Sequence, residues 1–345
     1  MHSISVIASL LVCVSYLAHA LHIPSPTPSF PDGKYVRYDD LASCPVLKPR
    51  KSSPTSARDI RPDDFKVVMA LGDSITAGFL AKGSRDDVQR TSQQLPLLNN
   101  RPIALPFVLE EHRGSSYPIG ADPDQITIPN ILSHYTKHVK GGSIGSHGCL
   151  GLRCELHPEN DHLNAAVSGA KGENLMSQVK DYLVPTIREM KIEDNDWKFV
   201  NLGIGGNDLC SYCLTPNTTS LPLVGTPKQF AKNIKDSVEY LRANVPNIIV
   251  NIIGMFRVSA IYRLTVQDPY CSGPLPPLIP HLPLECSCAF LPGPAGDFTR
   301  TKMDELSDAY DAAVLEVVKD WEAENDPAFG VIWRVILLNT AGEHF

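Results

Sequence analysis

The chain has 345 residues, of which 43% are hydrophobic and 20% are charged, a composition typical of a globular protein with a sizeable core. Its 31 basic and 38 acidic residues give a formal net charge of −7. Because there is no basic excess to hold a phosphate backbone, the composition argues against nucleic-acid binding, and we expect no nucleic-acid partner.

The first 20 residues are typical of a secretory signal peptide. An apolar stretch ends in Ala18-His19-Ala20, which matches the A-x-A pattern of signal cleavage sites. A membrane anchor is the alternative interpretation, but the apolar run is short for spanning a bilayer, and no later stretch is apolar enough to do so. We therefore expect residues 1–20 to be removed near Ala20, which leaves a secreted, extracellular protein with no transmembrane helix.

A segment rich in Pro and Ser, residues 21–63, follows the signal. This composition predicts an extended leader with little regular structure. Hydrophobic periodicity begins at Phe65, so we place the folded domain at residues 64–345. Within the domain, residues 80–160 and 265–300 are rich in Pro, Gly and Cys and predict long loops.

The number of cysteines is consistent with an exported protein. Of the 9 cysteines, those after the signal are Cys44, Cys149, Cys154, Cys210, Cys213, Cys271, Cys286 and Cys288. An even number in an exported chain predicts disulfides, and Cys149 and Cys154 close a short loop that a bridge would fit. Cys210-x-x-Cys213 also matches a redox motif or half of a zinc site. Without a second such pair we favour a structural bridge, and the connectivity stays open. The sequon at Asn217 lies in a loop that could carry a surface glycan.

Strand patterns alternate with helix patterns along the domain. Short apolar runs predict five buried strands, at Lys66–Leu71, Asn164–Val167, Trp197–Leu202, Asn247–Ile253 and Val331–Leu338. Helical patterns lie at Glu173–Met190, which Pro185 should break, at Pro227–Asn244, which Thr226 should cap, and at Thr301–Glu324. This alternation predicts an α/β protein in which helices cover both faces of a five-stranded, mostly parallel sheet.

Ser74 directly follows the first predicted strand, in Gly72-Asp73-Ser74. Ligand sites in parallel sheets form beyond the carboxyl ends of the strands, where the amides of helix N-termini stabilise negative charge. A serine at this point could act as a nucleophile, but Ser and Asp also cap helices routinely. The motif alone leaves the nucleophile and the helix cap as equal alternatives.

Two further strand ends offer hydrogen-bond donors. Gly169 lets the backbone approach closely, and its amide could donate to an oxyanion, with a tight turn as the alternative. Asn207 could donate its side-chain NH₂ to the same oxygen, although Asn-Asp is also common in turns. Because the strand ends of one parallel sheet meet at one edge, we expect Ser74, Gly169 and Asn207 to share a site for acyl transfer.

The blocks GDSITAG, AVSGA and GGNDLC resemble those of the GDSL, or SGNH, hydrolases, and other stretches resemble the phospholipase B-like branch of that family. These other stretches are Cys44-Pro45, Tyr117–Gly120, Ile128–Ile131, Cys210–Cys213, Val245-Pro246, Tyr270-Cys271 and Cys286–Cys288. The resemblance covers about residues 44–339. It implies a three-layer α/β/α, flavodoxin-like fold and hydrolysis of phospholipid or lysophospholipid acyl esters at a membrane or micelle surface, with no metal or organic cofactor. It assigns Ser74 as nucleophile and Gly169 and Asn207 as oxyanion-hole donors.

The fourth block of this family, an Asp-x-x-His that supplies the general base and its aspartate, is not found. After the last predicted strand the sequence reads NTAGEHF. His344 lacks the required spacing, His281 lies in a Pro-rich loop, and His147 is expected at the surface of a long loop. A serine hydroxyl without a base is a weak nucleophile, so we expect a C-terminally truncated domain without its final helix and with impaired activity.

Two hypotheses about function follow from these motifs. The first is a serine ester hydrolase that forms an acyl-Ser74 intermediate on phospholipid or lysophospholipid esters. The alternative is a non-catalytic relative of the same fold that binds lipid or a protein partner. The hypotheses differ in whether Ser74 reacts covalently with a fluorophosphonate, which only the first one predicts.

Overall fold

The structure is a computed structural model that describes residues 47–82, 97–98, 101–102, 109–123, 125–149, 154–214, 225–266, 272–275, 279–281 and 286–335. Outside the described residues lie the signal segment, the leader up to residue 46, Cys44, the sequon at Asn217, Cys271 and His344. The last part of the leader contains no strand and no helix until two 3-10 turns, Ala57–Asp59 and Pro62–Asp64, which lead into the first strand.

A four-stranded parallel sheet forms the centre of the fold. In chain order the described strands are β1 (Phe65–Gly72), β2 (Leu97–Leu98), β3 (Arg101–Pro102), β4 (Glu110–Glu111), β5 (His147–Gly148), β6 (Trp197–Gly203), β7 (Ile248–Ile253), β8 (Ser272–Leu275), β9 (Ile279–His281) and β10 (Phe329–Arg334). The central order is β1-β6-β7-β10, and β2–β3, β4–β5 and β8–β9 form antiparallel ribbons. The predicted α/β class with a mostly parallel sheet is confirmed.

Helices connect the central strands. The described α-helices are Ser74–Ala77, Ile128–Leu132, Pro158–Asp161, Leu175–Ser177, Val184–Glu189, Gly206–Cys210, Pro227–Asn244, Val258–Thr265 and Gly293–Glu324. Further 3-10 turns are Arg113–Ser115, Gly172–Asn174, Ser211–Leu214 and Ser287–Phe290, and Gln178–Leu183 is π-helical. In the part of the chain that is described, no helix combines the length and the apolar character needed to cross a bilayer.

The central strands are buried on consecutive positions. Residues 67–71 of β1 have no exposed surface. Phe199 and Ile249 are paired in register and therefore lie on one face of the sheet. Val200 and Val250, the next pair, lie on the other face and are also fully buried. Burial on both faces explains why these strands appear in the sequence as mainly apolar runs without a polar alternation.

The long connecting helices cover one face of the sheet. The central order follows the chain order, and parallel crossovers are right-handed, so successive connections fall on the same side. The helices Pro227–Asn244 and Gly293–Glu324 pack against each other there, with the Phe230 ring stacked on Tyr310 at a centroid distance of 4.4 Å. The Trp321 indole completes this layer by donating to Glu239 at 2.5 Å.

The opposite face is covered less completely. Phe199 and Ile332 on this face are half-buried, and together with Ile249 they line a groove of about 480 Å³. The helix Ile128–Leu132 forms one wall of the groove. Helical residues therefore lie on both faces of the sheet, and the second face is partly open.

The second of the five predicted strands, Asn164–Val167, is not a strand of the sheet. Its first residue forms an isolated parallel bridge with Ala70, and the amides of Ala165 and Val167 still donate to β1. The outer edge of β1 is shared, because Lys140 pairs with its earlier part. Neither segment can then form a ladder along the whole edge, so the prediction of five strands is wrong and the sheet has four.

The helix Pro227–Asn244 has the predicted bounds, whereas the last helix begins at Gly293 instead of Thr301. The Thr226 hydroxyl accepts the Gln229 amide at 3.1 Å, as predicted for a cap. At the last helix, the run GPAG has the composition of a loop. Proline is tolerated in a first helical turn, however, and Arg300 donates to the Leu291 carbonyl at 2.9 Å, which fixes this turn.

The chain remains helical through Pro185, so the predicted break is wrong. The π-helical segment Gln178–Leu183 comes directly before the helix Val184–Glu189. A proline lacks an N–H and clashes with the carbonyl four residues earlier in a regular α-helix. The wider π turn accommodates both effects, so the helix changes its hydrogen-bonding pattern without ending.

Three disulfides are described. Cys149–Cys154 closes the short loop as predicted. Cys210 and Cys213 do not bond to each other: they form Cys210–Cys286 and Cys213–Cys288. Residues three apart on a helical segment lie on the same side, so both thiols face residues 286–288. The interpretation of this Cys-x-x-Cys pair as disulfide-forming is therefore confirmed, and the structure supplies the connectivity that the sequence left open.

Candidate active site

Asp73, not Ser74, caps the first helix. β1 ends at Gly72, and the helix Ser74–Ala77 follows. The Asp73 side chain accepts the amide of Ile75 at 3.0 Å, which is the contact that a helix cap makes. Ser74 is half-buried as the first helical residue. Asp73 is therefore the helix cap, and Ser74 remains a candidate nucleophile.

The ends of β1 and β6 approach closely because both are glycine. Gly72 and Gly203 are paired in register, and a Cβ on Gly72 would lie 2.4 Å from the carbonyl oxygen of Gly203. Gln178 holds the same strand end: its Oε1 accepts the Gly72 amide at 2.9 Å, and its Nε2 donates to the Gly72 carbonyl at 2.7 Å. A side chain at position 72 would push apart the strand ends that carry the candidate site.

The turn after Val167 lies beside the end of β1. The Val167 amide donates to the Gly72 carbonyl at 3.2 Å. Gly169 has a φ of +82°, a left-handed conformation that favours glycine. It is exposed, and apart from its chain neighbours no described heavy atom comes within 4 Å of the position a Cβ would take. Gly169 thus occupies an open position beside the end of β1, the strand that leads to Ser74.

Asn207 links the end of β6 to this turn. It lies in the first turn of the helix Gly206–Cys210, and its Nδ2 donates to the Ala170 carbonyl at 2.9 Å. A side-chain amide has two N–H groups, so one remains for another acceptor. Direct contacts therefore join all three predicted strand ends, and the structure brings Ser74, Gly169 and Asn207 to one edge of the sheet.

A depression of about 60 Å³ lies at the ends of β1, β6 and β7, and the neighbours of Ser74 and Asn207 line it, but Ser74, Gly169 and Asn207 do not. Asp73 and Thr76 contribute polar atoms, and the mainly apolar walls come from Ile75, Tyr117, Ile204, Ile253, Met255 and Phe256. Its volume is about that of two water molecules in the liquid, so it fits a small apolar group. A longer acyl chain next to Ser74 would have to extend beyond it.

Two buried carboxyl groups belong to the same region. Burial raises the pKa of Asp73 to about 6, a shift that the Ile75 amide opposes and the nearby Asp208 charge increases. Burial likewise raises the pKa of Asp208 to about 6, opposed by the Gly172 amide, which donates to Oδ2 at 3.0 Å. Both groups therefore titrate at mildly acidic pH, next to the strand ends of the candidate site.

A buried polar chain beside the depression was missed by sequence reasoning. Asn251 donates through Nδ2 to Asn201 Oδ1 at 2.9 Å, and Asn201 donates to the Tyr117 hydroxyl at 3.2 Å. Burial raises the pKa of that hydroxyl, so it stays neutral, although 41% of the Tyr117 residue surface is exposed. An asparagine inside each of two apolar strands, in VNLG and VNII, was the available signal, because a buried amide needs a partner.

The described lining of the depression includes no histidine. His281 lies on β9 with its side chain outside the described set, and His344 is not described. The side chain of His147, expected at the surface, is only 8% exposed, and its Nε2 lies 3.1 Å from Asp161 Oδ1. That expectation is wrong because β5 turns the side chain inward against the ribbon partner β4.

One group among the described residues has the spacing of metal ligands: Glu111, Cys149 and Cys154. The two cysteines form a disulfide with each other. A thiolate is the form of cysteine that binds a metal, so these sulfurs are not available as ligands. The arrangement is therefore a disulfide beside a buried carboxylate.

Comparison with known proteins identifies the family of this chain. A model of the family described as GDSL-like lipase/acylhydrolase matches residues 68–333, which include all three strand ends. The mouse (Mus musculus) protein called phospholipase B1, membrane-associated, is 33% identical over 237 residues, which are 67% of this chain and 14% of that protein. The rat (Rattus norvegicus) protein of the same name is 31% identical over 250 residues, which are 71% of this chain and 15% of that protein.

This chain thus spans a small part of the curated relatives that it matches, 14% and 15% of their lengths. Among solved structures, an extracellular lipase from Streptomyces rimosus is similar with a TM-score of 0.35 and 15% identity, over 77% of this chain and 80% of the lipase. That similarity is too low to bear on the assignment. The match over residues 68–333 is sufficient by itself: the chain belongs to the GDSL-like lipase/acylhydrolase family of carboxylic ester hydrolases.

Proposed function

We propose that this chain is a serine hydrolase that acts on the acyl esters of phospholipids and lysophospholipids through an acyl-Ser74 intermediate. The observation that carries the proposal is the hydrogen bond from Asn207 to the Ala170 carbonyl, which holds two strand ends together beside the one that presents Ser74. The family membership supports ester hydrolysis, and the similarity to phospholipase B1 supports a lipid substrate.

In the proposed reaction, the Ser74 hydroxyl oxygen attacks the ester carbonyl carbon, and the carbonyl oxygen becomes negatively charged. The amides of Ser74 and Gly169 and the second N–H of Asn207 donate to this oxygen. Because the first N–H of Asn207 is bound to Ala170, the direction of the second is set before substrate binds. The alcohol then leaves with a proton, and water hydrolyses the acyl-Ser74 ester to release the fatty acid.

The proton of Ser74 needs a general base, and the printed sequence shows no Asp-x-x-His after β10. We therefore propose that this stretch of sequence alone acylates slowly. Oxyanion donors and binding without a complete triad leave residual catalysis, about 1,000- to 10,000-fold above the reaction in water in a well-studied case. An appended Asp-x-x-His segment should then increase turnover.

Export and an interfacial substrate complete the proposal. The signal-like first 20 residues and three described disulfides support an oxidising, extracellular location. Phospholipid and lysophospholipid are presented in membranes or micelles, so we propose such a surface as the place of action. Asn217 is the proposed site of a glycan.

Covalent labelling with a fluorophosphonate tests the nucleophile. We expect the probe to label the wild-type protein and Ser177→Ala but not Ser74→Ala. Ser177 is a matched control because it is an exposed helical serine whose hydroxyl donates only to the Asn174 carbonyl within its own helix, at 2.8 Å. Hydrolysis of p-nitrophenyl esters and of lysophosphatidylcholine should follow the same order.

Three other results of these experiments would each contradict a different part of the proposal. Equal labelling of Ser74→Ala and wild type would contradict the assigned nucleophile. Vesicle binding that survives Ser74→Ala, with no labelling of any variant, would establish the alternative of a non-catalytic lipid-binding relative. Equal turnover with and without an appended Asp-x-x-His segment, in a chain that stays folded, would contradict the account of the base.

A further inference from the structure

Gly169 itself has little packing around it, although Ala170, the next residue of the turn, is buried. Gly169 is exposed, and apart from its chain neighbours no described heavy atom lies within 4 Å of the position that a Cβ would take. An amide that is to stabilise a transition state must already point at the developing charge, because reorganisation during the reaction costs free energy. The direction of the Gly169 amide must therefore be set by the residues on each side of it.

The C-terminal side of the turn is held by the helix Gly206–Cys210. Asn207 donates to the Ala170 carbonyl at 2.9 Å, and Asp208 accepts the Gly172 amide at 3.0 Å. These contacts fix the chain after Gly169. The Ala170 amide also closes the turn by donating to the Val167 carbonyl at 3.0 Å. The remaining freedom of the peptide between residues 168 and 169, whose N–H is the proposed oxyanion donor, depends on what holds residue 168.

Glu111 holds residue 168. The Ser168 hydroxyl donates to Oε1 of the Glu111 carboxylate. A hydrogen bond to an ionised group is roughly twice as strong as one between neutral groups, and Glu111 has no exposed surface, so water does not compete for it. The contact joins the turn to the β4–β5 ribbon, which is far from it in the sequence.

Glu111 is itself held rigidly by other buried charges. Arg113, also without exposed surface, donates to Glu111 Oε2 through Nη2 at 2.6 Å and through Nε at 3.0 Å. Arg113 Nε lies 3.4 Å from Asp161 Oδ1, and Asp161 contacts His147 Nε2 at 3.1 Å and accepts the His157 amide at 2.7 Å. We call Glu111, Arg113, Asp161 and His147 the buried charge cluster.

A buried charge cluster is a costly way to stabilise a fold, because removing charges from water offsets most of their mutual attraction. Such groups are best attested where they specify one arrangement. Here Arg113 binds Oε2 of Glu111, and the other carboxylate oxygen, Oε1, accepts the hydroxyl of Ser168. Ser168 is the residue next to the proposed oxyanion donor. The cluster thus provides a fixed point for the first residue of the turn, next to the exposed Gly169.

We propose that Ser168 and Glu111 are positioning residues that orient the Gly169 amide toward the oxyanion. This inference rests on the proposed function, since it assigns a role within the same site. Neither residue touches the substrate in this scheme, so both act on the transition state through Gly169. Their loss should lower the rate of the chemical step and leave the binding of the ground state nearly unchanged.

The test compares fluorophosphonate labelling of wild type, Ser168→Ala, Ser168→Thr and Ser168→Val over a range of probe concentrations. We expect Ser168→Ala to lower the maximal labelling rate about tenfold or more, with a half-saturating concentration within about twofold of wild type. Threonine and valine have nearly the same shape but differ in the hydroxyl. Ser168→Thr should therefore retain most of the rate, and Ser168→Val should behave like Ser168→Ala.

Ser177→Ala is the matched control, because it removes a serine hydroxyl from the nearby helix Leu175–Ser177, where that hydroxyl donates to Asn174 and not to the turn. Hydrogen exchange of the amides at 169–172 gives a second measurement and should be faster in Ser168→Ala and Ser168→Val. Equal labelling of threonine and valine variants, or unchanged exchange in both Ser168→Ala and Ser168→Val, would overturn the positioning role. Labelling of Ser74→Ala at the wild-type rate would overturn the proposed function, and this inference with it.

Discussion

Gly72 and Gly203 face each other at the ends of β1 and β6, so closely that a Cβ on Gly72 would come within 2.4 Å of the Gly203 carbonyl oxygen. The same Cβ would lie 2.4 Å from the Thr76 hydroxyl, in the helix that begins with Ser74. A backbone oxygen cannot move aside as a flexible side chain can. The glycine pair therefore sets the distance between two strand ends of the candidate site.

Gly72→Ala should destabilise the fold and slow fluorophosphonate labelling of Ser74. Overpacking in a tight core typically costs about 1–3 kcal/mol, and we expect the free energy of unfolding to fall by the upper part of that range. Urea unfolding followed by circular dichroism measures the change. The control is Gly225→Ala, since no described atom lies within 4 Å of a Cβ there. Equal stability of the two variants would refute the close approach.

Asn207→Ala should slow labelling of Ser74 about 100-fold or more, because it removes an oxyanion donor and the contact with Ala170 together. Its stability should fall by only about 1 kcal/mol, the usual value of one hydrogen bond. Asn244→Ala is the matched control: it deletes an amide that donates to the Tyr240 carbonyl at 2.8 Å at an exposed helix end. A loss of rate below about threefold for Asn207→Ala would remove Asn207 from the proposed site.

The paired disulfides should show strongly non-additive effects. Cys210–Cys286 and Cys213–Cys288 close nearly the same loop, with sequence separations of 76 and 75. When one of these bridges is present, the other therefore restricts the unfolded chain only a little further. A single loop of this size is expected to contribute about 4 kcal/mol through the entropy of the unfolded chain. We expect Cys→Ser replacement of one pair to cost less than half of that and replacement of both pairs to cost most of it.

Urea unfolding of the two single-bridge variants, the variant without both bridges and the wild type completes a double-mutant cycle. Replacing Cys149 and Cys154 with serine is the control, because that bridge closes a loop with a separation of only 5. Additive losses from the two long-range bridges would contradict the redundancy.

The ionisation of Asp208 should make stability depend on pH in a defined direction. Its pKa in the folded protein is about 6, above the ordinary 3.8, so the folded state binds the proton more tightly than the unfolded state. Its contribution to stability is therefore present at low pH and is lost as pH rises through about 6. Asp208→Asn keeps an acceptor for the Gly172 amide but cannot ionise. Relative to wild type, the variant should gain about 1–3 kcal/mol between pH 4.5 and pH 7.5.

The measurement is the free energy of urea unfolding of wild type and variant at both pH values. Asp236→Asn serves as the control, since Asp236 is an exposed helical residue paired with Lys232, where a surface ion pair contributes at most about 1 kcal/mol. A difference between Asp208→Asn and wild type that is the same at both pH values would show that burial does not control the charge of Asp208.

The sequence by itself determined the central strands, the helix Pro227–Asn244 and the blocks that contain Ser74, Gly169 and Asn207. These features are local: apolar runs mark strands buried on both faces, and a Thr-Pro pair marks a helix start. The number of strands was wrong because the edge of β1 is shared with Lys140, a residue that no local pattern connects to it. Pro185 was misjudged because a π turn depends on how the helix packs.

Only the tertiary structure decided which residues meet across the fold. Cys210 and Cys213 bond to Cys286 and Cys288 instead of to each other, and Glu111 reaches Ser168 from a ribbon that has only two residues in each strand. Such contacts join positions far apart in the chain, so spacing along the sequence carries no record of them. For the candidate site, the sequence supplied the chemical groups, and the packing of distant segments decided how each group is held.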